Sequence, residues 1–161
     1  IFFILIHNIE KYILPTLRSR CLSFKISFTF KDNIRILNQL LDENIFDIIN
    51  FDLINYYNTP GEIIRLISFC NEKKINLKDI DLNILLNLII EQSYYKKNEF
   101  VKNMIINFIE HFFLKEFMFS NHRKKLLNFY YYFINKIYNT DKFNLDYESL
   151  FLEFKCKMLN G

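Results

Sequence analysis

Scarcity of chain-breaking residues is the strongest constraint on this sequence. Only two glycines and two prolines occur in 161 residues, whereas folds built from many tight turns need more of both. Hydrophobic residues make up 51% of the chain, which is enough to bury a sizeable core and argues against disorder. The sequence therefore predicts a mainly α-helical protein made of long, uninterrupted segments.

Apolar side chains repeat at helical spacing through most of the chain after residue 30. In one segment they fall at i, i+3, i+4 and i+7, namely at Ile63, Leu66, Ile67 and Cys70. The same spacing recurs in four other segments, which are residues 34–41, 101–112, 127–138 and 147–158. Short polar breaks separate the segments, at residues 76–81, 96–99, 120–121 and 139–144. We therefore expect helices, divided into one unit over residues 31–78 and a second over residues 79–161.

The first 30 residues follow a different pattern. Residues 2–6 form a continuous apolar run, and residues 22–28 alternate between apolar and polar types, as β-strands do. Pro15 can open a short helix between them that ends near Arg20. Because a lone strand has nothing to pair with, we expect residues 1–30 to be the end of an α/β domain in a longer protein.

Charge and cysteine content exclude several classes of protein. The formal net charge is only +3, too low to indicate a nucleic-acid module by itself. No apolar run approaches the length of a membrane span, and no secretory leader is recognisable. Cys21, Cys70 and Cys156 are odd in number and widely spaced, which favours reduced thiols in a cytoplasmic protein and no zinc site.

Other residue types that often bear chemistry give weak signals. The three histidines, at positions 7, 111 and 122, lack metal-ligand spacing, and no phosphate-binding GxxxxGK[ST] loop occurs. The consecutive tyrosines at positions 130–132 could stack on nucleic-acid bases. Apolar neighbours at Leu127, Phe133 and Ile134 favour core packing for these rings instead. The sequence predicts no metal site.

Arginines are scarce, so their clustering is informative. The chain has five arginines against sixteen lysines, and two of the five, Arg18 and Arg20, lie close together between the predicted strands. A guanidinium presents a planar set of donors that matches phosphate oxygens, and it stays charged. At the edge of an α/β domain it can stabilise charge on a neighbouring subunit's nucleotide. Solvated surface arginines remain the alternative interpretation.

This stretch resembles part of a known family. An apolar strand followed by Ile-Leu-Pro-Thr-Leu-Arg-Ser-Arg-Cys is similar to the sensor-1 and Ser-Arg-Cys region of clamp-loader AAA+ subunits, which include bacterial DNA polymerase III gamma/tau and delta-prime subunits and eukaryotic replication factor C. The Ser-Arg-Cys motif stands here as Ser19-Arg20-Cys21 after Pro15. The resemblance implies that Arg20 is an arginine finger acting in trans. It places the sensor-1 position at His7 or Asn8.

A second stretch resembles the family's lid domain. Thr59-Pro60-Gly61-Glu62 has the composition of a helix capping box, in which the Thr hydroxyl and the Glu carboxylate each accept from a backbone N–H. It is similar to the Gly-Ser-Pro-Gly turn of delta-prime lids, although Asn58 and Thr59 replace Gly-Ser. Hydrolysing gamma-type subunits usually have an arginine where Gly61 stands. An ordinary helix start would by itself explain these four residues.

Together the resemblances imply an AAA+ remnant over residues 1–30, a helical lid over 31–78 and a helical collar over 79–161. They imply a non-hydrolysing, delta-prime-like clamp-loader subunit that binds no cofactor in this segment and acts on ATP-Mg²⁺ bound by a neighbour. The expected partners are gamma/tau and delta subunits in a hetero-pentamer and, through that complex, the sliding clamp and primed DNA, with no membrane. The alternatives are a freestanding helical interaction protein and a gamma/tau-type ATPase fragment.

Overall fold

The computed structural model describes residues 4–6, 13–24, 28–55 and 58–160. Across these residues the regular secondary structure is helical. The α-helices, in chain order, are α1 (Pro15–Arg18), α2 (Phe30–Leu41), α3 (Ile45–Ile48), α4 (Pro60–Glu72), α5 (Leu82–Glu91), α6 (Glu99–Phe119), α7 (Arg123–Lys142) and α8 (Tyr147–Phe154). Two 3₁₀ turns, Phe51–Leu53 and Tyr94–Lys96, and a π-helical turn, Lys155–Leu159, complete the set. The expectation of a mainly α-helical protein is confirmed.

Short polar side chains define where most helices begin. Thr29 and Thr59 each form a full capping box, with Asp32 and Glu62 respectively. Side-chain oxygens of Asp81, Asn98 and Asp146 cap α5, α6 and α8. Each cap satisfies a backbone N–H that has no partner inside the helix. Helix α7 differs, because its N-cap residue makes no side-chain hydrogen bond and its first turn contains no acid.

The prediction of two β-strands in the first 30 residues is wrong where those segments are described. Residues 4–6, 22–24 and 28 are irregular, and they pair with no strand. Residues 2, 3 and 25–27 lie outside the described part of the chain. The physical reason is that an extended apolar segment becomes a strand only when another strand accepts and donates its backbone hydrogen bonds. No such partner exists among the described residues.

One hydrophobic core occupies the helical body. It extends from Leu37 on α2 to Phe154 on α8 and includes buried side chains from α3, α4, α5, α6 and α7. Its densest part is aromatic, with the Phe154 ring centroid 5.4 Å from that of Phe112 and 5.3 Å from that of Phe133. These edge-to-face pairs join α6, α7 and α8.

The core and its hydrogen bonds run across the predicted lid–collar boundary at residue 78. Across this boundary the Leu82 amide donates to Asp52 Oδ2 at 2.9 Å, and Lys115 Nζ contacts Asp52 at 2.6 Å. Buried apolar residues on both sides of the boundary belong to the same cluster. Residues 31–78 and 79–160 are therefore packed against each other, and their assignment as lid and collar stays a prediction.

Candidate functional site

The Ser19-Arg20-Cys21 stretch forms a hydrogen-bonded turn that follows α1. Pro15 occupies the first helical position, where its lack of an N–H costs nothing. The Ser19 amide donates to the Pro15 carbonyl oxygen at 2.9 Å, and the Arg20 amide donates to that of Leu17 at 3.1 Å. The Ser19 hydroxyl donates to the Thr16 carbonyl oxygen at 3.2 Å. Local backbone contacts therefore fix the turn on which Arg20 stands.

The Arg20 side chain is exposed and forms no ion pair within the described residues. Arg18, two residues earlier on the last turn of α1, is also exposed. An arginine that serves its own fold normally pairs with a carboxylate or lies along an apolar surface. Among the described residues, the Arg20 guanidinium therefore has no carboxylate partner.

Apolar side chains around this turn are exposed as well. Leu14 and Leu17 precede it, with 58% and 45% of their surface exposed, and Leu22 and Phe24 follow it at 88% and 81%. Single exposed apolar residues are ordinary, whereas larger groups of exposed apolar side chains mark interaction or aggregation surfaces. The turn with Arg20 thus lies in a stretch that can bury further area against another chain.

Of the other predicted site residues, the structure describes Cys21 and the helix start at residues 59–62. His7 and Asn8, the predicted sensor-1 position, lie outside the described residues. Cys21 is exposed beside Arg20. Across the described residues, no hydrogen bond, ion pair or ring contact links residues 19–21 to the helix start at 59–62.

The predicted capping box at the start of α4 is confirmed. The Thr59 amide donates to Glu62 Oε2 at 2.8 Å, and the Glu62 amide donates to Thr59 Oγ1 at 3.3 Å. Pro60 lies in the first turn of the helix. A Cβ added at Gly61 would meet no heavy atom within 4 Å, so space alone does not require glycine there.

A polar cluster that sequence reasoning missed joins the 3₁₀ turn Phe51–Leu53 to α6. Lys115 Nζ contacts Asp52 at 2.6 Å, and His111 Nε2 lies 3.0 Å from the Asp52 carbonyl oxygen. Burial alone would raise the pKa of the Asp52 carboxyl, but hydrogen bonds from Lys115 and the Leu82 amide outweigh it and lower that pKa. Burial lowers the pKa of His111. Because these contacts join the turn Phe51–Leu53 to α6, the cluster acts as a structural tie.

A second polar cluster joins α7 to α8 around Glu153. Its carboxylate accepts from Lys136, from Lys157 and, at 2.7 Å, from the Tyr132 hydroxyl. Hydrogen bonds from the two lysines lower the pKa of Glu153 to about 2. The side chain is 22% exposed, so solvent screens part of this interaction.

This cluster makes stability depend on pH in acid. Because the folded-state pKa of Glu153 lies below its ordinary value of 4.5, the stabilisation is complete above pH 4.5 and is lost as the pH falls towards 2. As the pH falls, the free energy of unfolding of the wild type should decrease by about 1–2 kcal/mol more than that of Glu153→Gln, allowing for screening. Urea unfolding of both proteins between pH 2.5 and 6 measures it. Glu43→Gln is the matched control, because Glu43 is exposed and forms no ion pair with a described residue. Parallel pH profiles for wild type and Glu153→Gln would contradict the expectation.

Cysteine and metal chemistry find little support in the described residues. Burial raises the pKa of the Cys70 thiol to about 12, so this thiol stays protonated and inert at neutral pH. Within the described ranges, no group of three or more His, Cys, Asp and Glu side chains is arranged to hold a metal ion.

None of the described helices combines the length and the apolar character needed to cross a bilayer. Comparison with known proteins gives no relative: no protein-family model, no curated protein and no solved structure matches this chain.

Proposed function

We propose that this chain is a non-hydrolysing subunit of a clamp loader, similar to the DNA polymerase III delta-prime subunit, and that it works in the cytoplasm in DNA replication. In this role Arg20 reaches the ATP-Mg²⁺ of a neighbouring subunit and stabilises negative charge on the phosphoryl group being transferred. Hydrolysis takes place on the neighbour. This chain supplies one guanidinium and a rigid helical body for assembly with gamma/tau-type and delta-type subunits around the sliding clamp and primed DNA.

The observation that supports this role most is the state of Arg20. It follows a helix fixed by Pro15, stands on a hydrogen-bonded turn, and has no carboxylate partner among the described residues. Exposed apolar side chains flank it on both sides. A finger acting in trans requires these conditions, because its charge must stay unpaired until a neighbouring subunit docks.

One feature favours a second candidate function, a freestanding helical interaction protein without nucleotide chemistry. The buried core begins at Leu37 and ends at Phe154, so it receives no buried side chain from the described residues before 30. The helical body therefore has a core of its own. In this alternative the exposed apolar residues around Arg20 bind a protein partner, and the arginine only borders the interface.

Reconstitution distinguishes the two candidates. The full chain is mixed with gamma/tau-type and delta-type subunits from the same source, and the mixture is separated by size-exclusion chromatography. Under the proposal we expect a five-subunit complex whose DNA-stimulated ATP hydrolysis requires this chain. Failure to enter the complex, or equal hydrolysis without the chain, would favour the interaction protein.

A further inference from the structure

Helix α7 concentrates positive charge. Between Arg123 and Lys142 it has five basic residues and one acid, Asp141. That acid accepts a hydrogen bond from the Tyr147 hydroxyl, and of the lysines only Lys136 is held in an ion pair, with Glu153. Four cations of α7 are therefore not neutralised by a carboxylate within the described residues. The helix is a local exception in a chain whose net charge is only +3.

The exposed side of α7 has a stripe of lysine, asparagine and tyrosine side chains. At about 100° per residue, six exposed residues fall within an arc of roughly 80°, on the side opposite the buried Phe133 and Thr140. These six residues, which we call the α7 stripe, are Lys124, Asn128, Tyr131, Asn135, Tyr138 and Lys142. They extend over about 27 Å at the rise of an α-helix. No acidic residue belongs to the stripe.

Two tyrosine rings of this stripe are exposed to solvent. The expectation that residues 130–132 all pack in the core is wrong, because consecutive helical residues point about 100° apart and cannot share one face. Tyr130 is half-buried, whereas Tyr131 is 57% exposed. Tyr138, two turns further along, is 58% exposed. Lys142 Nζ lies 5.5 Å from the centroid of the Tyr138 ring, which places a cation next to this aromatic surface.

We infer that the α7 stripe binds single-stranded nucleic acid. Exposed aromatic rings stack on bases of any sequence, and neighbouring lysines neutralise the phosphates between them. Tyr131 and Tyr138 supply two such rings about 10 Å apart along the helix, with Lys124 and Lys142 at the two ends. Asn128 and Asn135, which separate these groups, offer amide donors to phosphate or base edges.

An acidic protein fits the stripe less well. Protein partners that dock on a helix usually bury a seam of aliphatic or aromatic anchors spaced at i, i+3, i+4 and i+7. On the α7 stripe Asn135 separates the two rings, polar and basic residues lie on either side of them, and the nearest aliphatic side chain, Leu127, lies at the margin of the stripe. The binding of single strands does not depend on the clamp-loader role, which rests on Arg20.

The test measures binding of the full chain to a fluorescein-labelled oligothymidylate of about 20 nucleotides by fluorescence anisotropy. We expect the double variant Tyr131→Ala/Tyr138→Ala to weaken binding roughly tenfold or more, and Tyr131→Phe/Tyr138→Phe to retain it, because phenylalanine preserves the stacking surface. Lys124→Gln/Lys142→Gln should weaken binding and reduce the salt dependence of log K by roughly 1.4.

Matched controls keep the outcome decisive. Lys31→Gln/Lys97→Gln removes two exposed lysines outside the stripe and should leave affinity and salt dependence unchanged apart from a small general charge effect. Every changed side chain is exposed, so each variant should fold. Circular dichroism and thermal unfolding verify this. Absence of wild-type binding, equal affinity of the alanine and phenylalanine variants, or displacement by polyglutamate as effective as by unlabelled oligonucleotide would overturn the inference.

Discussion

Arg20→Ala is expected to lower DNA-stimulated ATP hydrolysis in the reconstituted complex by as much as roughly 10³-fold at the neighbouring site, the general scale for removal of an arginine finger. Assembly should survive, because Arg20 forms no ion pair within the described part of its own chain and its loss leaves no buried group unsatisfied. The measurement is the steady-state rate of phosphate release with the five subunits and primed DNA. Size-exclusion chromatography establishes that the variant is in the complex.

Arg18→Ala is the matched control, since Arg18 is exposed and lies on the last turn of α1. Arg18→Ala should keep the hydrolysis rate within about twofold of the wild-type rate. Arg20→Lys should restore only part of the rate that Arg20→Ala loses, because an ammonium lacks the planar set of donors. Unchanged hydrolysis with Arg20→Ala, in a complex shown to contain the variant, would contradict the proposed role of Arg20.

The second large effect is expected at the aromatic centre of the core. Phe154 is fully buried, and its ring contacts those of Phe112, Phe113 and Phe133. Phe154→Ala should lower the free energy of unfolding by about 3–5 kcal/mol, because it removes a buried ring and leaves a cavity that the helices cannot fully close. This is a large fraction of the stability of an ordinary domain. Urea unfolding followed by circular dichroism measures the change.

Leu152→Ala provides the comparison on the same helix. Leu152 is 44% exposed, so its truncation should cost less than about 1 kcal/mol. Phe154→Leu should fall between the two, since it retains much of the apolar volume. Equal effects of Phe154→Ala and Leu152→Ala would show that the aromatic cluster does not stabilise this fold as described.

Helices with a clear apolar period could be predicted from sequence. The spacing at residues 63–70, 101–112 and 127–138 lies within α4, α6 and α7. Other elements lack a period to detect. Helix α3 and the turn Phe51–Leu53 are shorter than two helical turns. Helix α5 is an exception, because its buried Leu82, Leu85, Leu86, Ile89 and Ile90 do follow the helical period, although this segment was not among the predicted helices. The predicted break at 139–144 begins too early, because Thr140 is buried and keeps α7 helical to Lys142.

The candidate sites also differ in whether sequence can predict them. Local features, such as the Thr59–Glu62 capping box and the turn at Ser19, depend on residues within a few positions of each other. The tie between Asp52, His111 and Lys115 joins residues about sixty positions apart, and only the folded chain brings them together. Exposure of Tyr131 and Tyr138 likewise depends on which side of α7 the core occupies, which three adjacent tyrosines do not reveal.

Residues 14–24 are exposed throughout, and none of them enters the core. The melting temperature of the helical body should therefore be insensitive to their identity, and folding leaves natural variation there unrestrained. Under the proposed function, selection on Ser19, Arg20 and Cys21 acts through the neighbouring subunit that docks on this surface. Under the proposed function, a deep mutational scan that scores protein abundance and DNA replication separately would detect substitutions at these positions in the replication score and not in the abundance score.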